Sequence, residues 1–170
     1  MMENFAPSLA HVLASEGGFV DNPHDAGGAT DEGVTQHQYD LWRTAKGLST
    51  RSVRYIDPNE VEAIYRGSYW NAVDGDLLPS GVDYVVFDWS VLAGPHRAIE
   101  HLQQAVGASV DGSLGPDTLS HISMCDPLHV INAVCEERLA YLKTRPGWPY
   151  FGNGWSSRVA TVEQIARGMA

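Results

Sequence analysis

Residues 16–35 read EGGFVDNPHDAGGATDEGVT, and the rest of the chain is organised around this stretch. It follows a segment whose apolar residues recur at helical spacing, which predicts an amphipathic first helix. The apolar stripe consists of Phe5, Leu9, Val12 and Leu13. Gly17 and Gly18 end the helix, because glycine readily adopts the left-handed conformation found at helix ends. Glu16 is therefore predicted to lie at the end of the helix, on or beside its apolar face.

A glutamate in that position can act as an acid. Burial against apolar surface disfavours the charged form of a carboxyl group, so Glu16 is expected to keep a proton near neutral pH. A protonated carboxyl can donate that proton as a general acid. The alternative is a glutamate at a helix end that simply reaches solvent.

The loop after Glu16 is rich in glycine and in short polar side chains. Its acidic and hydroxyl residues are Asp21, Asp25, Thr30, Asp31, Glu32 and Thr35. Such a segment buries little apolar area, so it is predicted to form turns or a short β-hairpin at the surface. It can supply the second carboxylate and the hydroxyls of a glycosidase site. A calcium loop is disfavoured, because the alternating D-x-[DN]-x-[DN]-G order is missing.

The same stretch resembles the signature of glycoside hydrolase family 108, the N-acetylmuramidases of phage endolysins and related bacterial proteins. That family typically shows E-G-G-[YF]-x-x-x-P-x-D-x-G-G-x-T-x-x-G-[IV]-T near its N-terminus. The resemblance implies that Glu16 is the catalytic glutamate. The spacing of Glu16, Asp25 and Thr30 is also similar to the Glu, Asp and Thr set of phage-type lysozymes. Asp31 stands where the family more often has Asn.

The resemblance implies cleavage of the β-1,4 bond between N-acetylmuramic acid and N-acetylglucosamine in peptidoglycan. Glu16 would protonate the leaving oxygen, Asp25 would stabilise positive charge or help place water, and Thr30 would hold that water. The residues predicted to bind the glycan strand are Thr35, Gln36, Tyr39, Tyr69 and Asp88.

Three of these residues also have a structural interpretation. The hydroxyl of Thr35 can cap the helix that follows it. Tyr69 is an aromatic residue at helical spacing and can belong to the core instead of stacking on a sugar. Asp88 lies in an apolar run and is either a clamp between helices or a wall of the cleft, since a buried carboxylate needs partners.

Two other functions compete with muramidase activity. Family members usually carry F-D-x-x-V-N-S-G where this chain reads FDWSVLAG, so that Leu92 replaces Asn and Ala93 replaces Ser. This departure is the support for a catalytically weak or inactive protein that binds the cell wall or assists secretion. A chitinase-like activity is the third option.

Composition and charge limit the kinds of partner that the chain is expected to bind. The chain has 170 residues, 44% of them hydrophobic, and a formal net charge of −10. Nucleic acid is not an expected ligand, because phosphate binding needs clusters of Lys and Arg. No signal peptide or long apolar span is visible, so synthesis in the host cytoplasm and export to the periplasmic wall are expected, with no membrane insertion. The resemblance suggests a phage holin as the export partner, and we expect a monomer.

No metal site or cofactor is predicted. The seven His residues lack an HExxH or another ligand spacing. Cys125 and Cys135 lie in helical patterns without a CxxC motif, and two half-buried thiols are favoured over a disulfide.

The sequence predicts a mainly α, lysozyme-like fold with a short β-hairpin or irregular loop after the first helix. Helices are expected from Pro7, over 36–45, after Asp57, over the apolar run 84–91, from Pro95 and after Asp126, where proline or a capping residue marks a start. Asp57 as the cap, Pro58 at the first position and Glu60 at the third predict a capping box. The stretch LQQAVGASVDGSLGPDTLSHI resembles a type 3 peptidoglycan-binding module, whose DG-x-x-G-P-x-T loop either packs helices or contacts sugar. Residues 1–93 are therefore assigned to a catalytic domain and residues 94–170 to a helical wall-binding module packed on it.

Overall fold

Eight α-helices and one two-stranded antiparallel hairpin are found in the residues that this computed structural model describes, 4–21 and 29–170. The helices are α1 (Phe5–Ser15), α2 (Gln36–Ala45), α3 (Pro58–Tyr65), α4 (Val82–Ala93), α5 (Pro95–Val106), α6 (Pro116–Ser123), α7 (Pro127–Lys143) and α8 (Trp148–Met169). The strands are β1 (Thr30–Asp31) and β2 (Val34–Thr35). The predicted mainly α, lysozyme-like fold with a short hairpin after the first helix is confirmed.

The chain divides into two compact units. The inserted unit is Ala6–Ser68, and the terminal unit combines Met1–Phe5 with Tyr69–Ala170. The predicted boundary between residues 93 and 94 falls inside the terminal unit, between α4 and α5. The functions assigned to residues 1–93 and 94–170 stay predictions.

Local signals set the helix starts in the inserted unit. Asp57 caps α3 by accepting from the backbone N–H of Asn59 at 2.8 Å, while Glu60 accepts from the backbone N–H of Asp57 at 3.0 Å. Pro58 occupies the first helical position, so the predicted capping box is confirmed. Helix α1 begins at Phe5, two residues before the predicted start at Pro7. The proline still lies in the first turn, where its missing N–H leaves no hydrogen bond unmade.

The core of the terminal unit is centred on α4. Every residue from 82 to 90 is buried, and α5, α7 and α8 all pack on this helix. The apolar run 84–91 is thus a buried helix, as predicted, and α5 turns three apolar residues at helical spacing to the core. These residues are Ala98, Leu102 and Val106.

Polar contacts join the two chain segments of the terminal unit. The side-chain amide of Asn4 donates to Ser80 Oγ at 2.9 Å and to Asp83 Oδ2 at 2.8 Å. Ser80 in turn donates from its hydroxyl to the carbonyl of Met169 at 2.6 Å. Ser80 therefore links the segment before α1 to the end of α8.

Cys125 and Cys135 are free thiols. Burial raises the pKa of Cys135 to about 12, so this thiol stays neutral within the core of the terminal unit. No helix in residues 4–21 and 29–170 combines the length and the apolar character that crossing a membrane requires.

Candidate active site

The hairpin after α1 is closed by a tight two-residue turn. Strand β1 pairs with β2 in the register Thr30 to Thr35 and Asp31 to Val34. The turn residues between them, Glu32 and Gly33, have φ angles of 47° and 77°. Positive φ at both positions is the requirement of a type I′ turn, whose twist matches the twist of the strands. Gly33 meets this requirement without strain, whereas Glu32 is held in a conformation uncommon for its residue type.

The turn brings the predicted acid against the hairpin. A β-carbon added to Gly33 would lie 3.2 Å from both Cγ and Oε2 of Glu16 and would collide with the hydroxyl of Tyr65. That hydroxyl donates to the carbonyl of Glu32 at 2.9 Å. Because Gly33 has no β-carbon, the carboxyl of Glu16 and the hydroxyl of Tyr65 can both lie against its α-carbon.

Glu16 follows α1 directly, as the sequence predicts. Its backbone N–H donates to the carbonyl of Leu13 at 3.1 Å, and its side chain is half-buried. The carboxyl thus lies beside the hairpin turn and is only partly open to solvent.

Thr30 lies at the start of the hairpin, where two parts of the chain are pinned together. Its backbone N–H donates to the carbonyl of Val20 at 2.8 Å, and the backbone N–H of Val20 donates back to Thr30 at 2.8 Å. This bridge ties the segment just after Glu16 to β1. Asp25, the predicted second carboxylate, lies outside the described residues, and its role stays a prediction.

Thr35 and Gln36 both make structural hydrogen bonds. The hydroxyl of Thr35 accepts from the backbone N–H of Gln38 at 3.2 Å and caps α2. The side-chain amide of Gln36 donates to the carbonyl of Arg51 at 2.9 Å and accepts from the backbone N–H of Val53 at 2.7 Å. The two side chains therefore hold α2 and the segment around residues 51–53 in place.

Tyr39 is fully buried, with 0% of its surface exposed, and belongs to an ionic network. Its hydroxyl donates to Glu60 Oε2 at 2.5 Å, Arg43 Nη1 lies 2.5 Å from Glu60 Oε1, and Arg51 pairs with the same carboxylate. Burial acts to raise the pKa of Glu60, but the hydrogen bonds from Tyr39 and the Asp57 backbone, with both guanidinium charges, bring that pKa below its usual value. The sequence identified Glu60 as a capping residue but not this second role. In this conformation the ring of Tyr39 offers no face to a sugar.

The two remaining predicted residues lie in the terminal unit. Tyr69 is half-buried in a single π-helical turn, Arg66–Trp70. The neighbouring Trp70 is a core residue, and its ring meets those of Phe5 and Phe87 edge-on at 5.4 Å. Of this aromatic pair, Tyr69 alone has surface that a saccharide can contact.

Asp88 is the clamp between helices that the sequence offered as one of its two interpretations. Its Oδ2 accepts from Arg138 Nη1 of α7 at 2.6 Å, and its Oδ1 accepts from Arg158 Nη2 of α8 at 2.8 Å. Only 1% of the Asp88 side chain is exposed. The carboxylate therefore joins three helices, and both of its oxygens have protein partners.

The DG-x-x-G-P-x-T loop is likewise built around a buried amide. Gln103 Nε2 donates to Asp111 Oδ1 at 2.8 Å and to Thr118 Oγ1 at 3.0 Å, while Gln103 Oε1 accepts from the backbone N–H of Gly112 at 2.9 Å. The Gln103 hydrogen bond holds the pKa of the Asp111 carboxyl below its usual value. Of the two roles open to this loop, the structure shows the packing role.

Within residues 4–21 and 29–170, no group of three His, Cys, Asp or Glu side chains is placed to hold a metal ion.

Comparisons with known proteins agree with this architecture. The sequence profile described as Glycosyl hydrolase 108 matches residues 9–94. The structure is similar to that of Brucella abortus SagA, with a TM-score of 0.87 and 38% sequence identity over 99% of this chain and 97% of the other. Among curated proteins, none matches the sequence significantly. No comparison supports a type 3 peptidoglycan-binding module in residues 94–170, so that assignment stays a prediction.

Proposed function

Because the chain belongs to glycosyl hydrolase family 108, we propose that it cleaves the β-1,4 bond between N-acetylmuramic acid and N-acetylglucosamine in peptidoglycan. Membership of the family supports a glycoside hydrolase that acts on peptidoglycan. The particular bond and the residues that cleave it are our proposal. One observation carries it: the half-buried carboxyl of Glu16 packed against the hairpin turn at Gly33.

In the proposed reaction, Glu16 is the general acid. Its proton passes to the glycosidic oxygen as the bond from that oxygen to the anomeric carbon breaks, and positive charge develops on the sugar ring. Asp25 stabilises that charge or helps to place water, and Thr30 holds the water that attacks the anomeric carbon. The hydroxyl of the water becomes the new anomeric hydroxyl, and its proton passes to a carboxylate.

The hairpin contributes to this chemistry by positioning the acid. Tyr65 fixes the turn through the carbonyl of Glu32, and the turn limits the space open to the carboxyl of Glu16. A group held within a narrow range of orientations loses less entropy when it meets the scissile bond. The bridge between Val20 and Thr30 fixes the other side of the same loop.

The decisive experiment replaces Glu16 with Gln, which keeps the shape of the side chain and removes its acid. Purified peptidoglycan is incubated with the wild type and the variant, and new reducing ends are quantified and identified. We expect a loss of at least about 100-fold, since general acid catalysis contributes roughly 10²–10⁴-fold. Glu62→Gln, an exposed change on α3, is the matched control and should retain full activity. A folded Glu16→Gln protein with more than a tenth of wild-type activity would reject the assignment.

The same assay separates the second candidate function, a wall-binding or secretion-assisting protein with little catalysis. The observation in its favour is that Leu92, in place of the usual Asn, is 50% exposed. Such a protein would bind purified peptidoglycan without producing reducing ends. Chitin oligosaccharides test the chitinase alternative in parallel. The expected monomeric state and holin-dependent export remain predictions.

A further inference from the structure

The terminal unit contains a pocket of about 540 Å³ between the end of α4, the end of α7 and the start of α8. The residues that matter for its chemistry are Trp89, Leu92, Arg138, Tyr141, Arg145 and Trp155. Its volume lies within the range of small-molecule sites, roughly 300–1,000 Å³. All of its walls belong to one unit, and it contains none of the residues proposed to cleave the glycan.

The pocket combines apolar walls with guanidinium groups. Trp89, Leu92 and Trp155 supply aromatic and aliphatic surface, and Arg138 lines the same space. Arg138 is 1% exposed and stacks over the ring of Trp89 at 4.8 Å. Such a lining is suited to a ligand with an apolar body and a negative charge.

One buried donor in the pocket wall lacks a partner. Arg138 donates a hydrogen bond from Nη1 to Asp88. Its Nε is buried and has no hydrogen-bond partner among the residues that the structure describes. A buried donor left unpaired costs free energy, so this atom adds an unmet hydrogen-bonding demand to the pocket wall. It is sealed from solvent, and a ligand acceptor reaches it only when the Arg138 side chain shifts.

Further positive charge lies beside Tyr141, a residue of the pocket wall. The guanidinium of Arg145 lies 5.2 Å from the centre of the Tyr141 ring, and that of Arg97 lies 4.5 Å from the same ring. Arg145 is exposed and lines the pocket beside Tyr141. In a chain whose formal net charge is −10, this concentration of arginine is a local exception that favours an anion.

We propose that this pocket binds a carboxylate of the peptidoglycan stem peptide, with the aliphatic part of the peptide on the aromatic wall. The inference rests on the proposed function for its choice of polymer. The glycan backbone offers neutral hydroxyl and acetamido groups, whereas the stem peptide carries carboxylates that match a planar guanidinium. In this proposal the pocket binds the peptide part of peptidoglycan, and the hairpin region acts on the glycan part.

The test measures how tightly the full chain binds a stem tripeptide with free carboxylates. Binding is measured by calorimetry and by tryptophan fluorescence, to which Trp89 and Trp155 of the pocket contribute. We expect saturable binding that weakens at least about tenfold when the same peptide is fully amidated, because the charge-assisted hydrogen bonds are lost. Arg145→Gln should weaken binding of the free peptide by a similar factor. Arg167→Gln, an exposed change on α8 outside the pocket, should leave it within about twofold, as surface substitutions usually do.

Three results would overturn the inference: equal affinity for the free and amidated peptides, unchanged affinity in folded Arg145→Gln, or saturation by acetate over the same concentration range. Circular dichroism establishes that each variant is folded. The assay involves no bond cleavage and no contact with Glu16. If the wild type releases reducing ends but does not bind the peptide, the proposed peptide site is refuted and the proposed reaction is not. If it binds the peptide but releases no reducing ends, the proposed reaction is refuted and the peptide site is not.

Discussion

Asp88 accepts a hydrogen bond from Arg138 across 2.6 Å, so that a carboxylate on α4 and a guanidinium on α7 form an ion pair with 1% of each side chain exposed. Arg158 of α8 binds the second oxygen of the same carboxylate at 2.8 Å. Arg138 and Arg158 both line the pocket of the terminal unit, and their ion pairs with Asp88 fix the helices on which the pocket wall is built.

We expect Asp88→Asn to lower the free energy of unfolding by about 3–5 kcal/mol, because it leaves two guanidinium groups facing a neutral amide. Urea denaturation at pH 7 measures the change. Asp117→Asn is the control, since that side chain is 65% exposed and should alter stability by no more than about 0.5 kcal/mol. Equal, small effects of the two substitutions would contradict the clamp.

Gly33→Ala tests the packing between the hairpin turn and Glu16. The left-handed backbone alone should cost about 1–2 kcal/mol, and collision with Tyr65 and Glu16 should add about 1–3 kcal/mol. Gly47→Ala is the matched control, because Gly47 has φ of 71° but open space around its α-carbon. Thermal unfolding of both variants separates the two contributions.

The same pair of variants reports on catalysis. Displacing the carboxyl of Glu16 by about 1 Å should lower the rate of reducing-end release by roughly 100-fold in Gly33→Ala. Gly47→Ala should hydrolyse peptidoglycan at the wild-type rate. If folded Gly33→Ala kept full activity, the turn would have no part in positioning the acid.

The Glu60 network makes stability depend on pH. The folded-state pKa of Glu60 lies below its unfolded value of about 4.3, so its stabilisation is complete above that value and is lost as the pH falls through the folded pKa. We expect the free energy of unfolding to decrease below about pH 5, and Glu60→Gln to make this decrease shallower. Urea denaturation from pH 7 to pH 3 tests this, with Glu62→Gln as the exposed control whose pH profile should follow the wild type.

Gln103→Leu tests the packing role of the loop at residues 111–118. The substitution leaves buried donors and acceptors of the loop unpaired, and we expect a loss of about 2–4 kcal/mol. Hydrogen exchange of the Gly112 and Ser113 amides should accelerate. Gln104→Leu, the exposed neighbouring change, should affect neither quantity, and slow exchange in Gln103→Leu would show that the loop is held by other contacts.

The sequence predicted those features that depend on neighbouring residues. Thr35, Asp57 and Asp126 each cap the helix that follows, because the hydrogen bond of a cap reaches only two or three residues along the chain. The bounds of α2 and the burial of α4 follow from such local signals and from apolar spacing. Glu16 could be placed at the end of α1 for the same reason.

The rest depends on packing between distant residues. Tyr65 of α3 contacts the turn at Glu32 and Gly33, although these residues are far apart in the sequence. The spacing of the residues does not predict this contact. The same is true of Glu60, which a capping motif identified but whose partners Arg43 and Arg51 come from other segments. Sequence spacing identified Glu16 as the candidate acid, and tertiary structure supplies the groups around it.

The contact of Asn4 with Ser80 has a consequence for synthesis on the ribosome. All residues of the inserted unit emerge before Ser80 does, so that unit can fold while the terminal unit is still incomplete. The hydrogen bond from Ser80 to the carbonyl of Met169 can form only after Met169 has left the exit tunnel. The nascent chain is thus expected to carry a finished hairpin region well before the helices around α4 close.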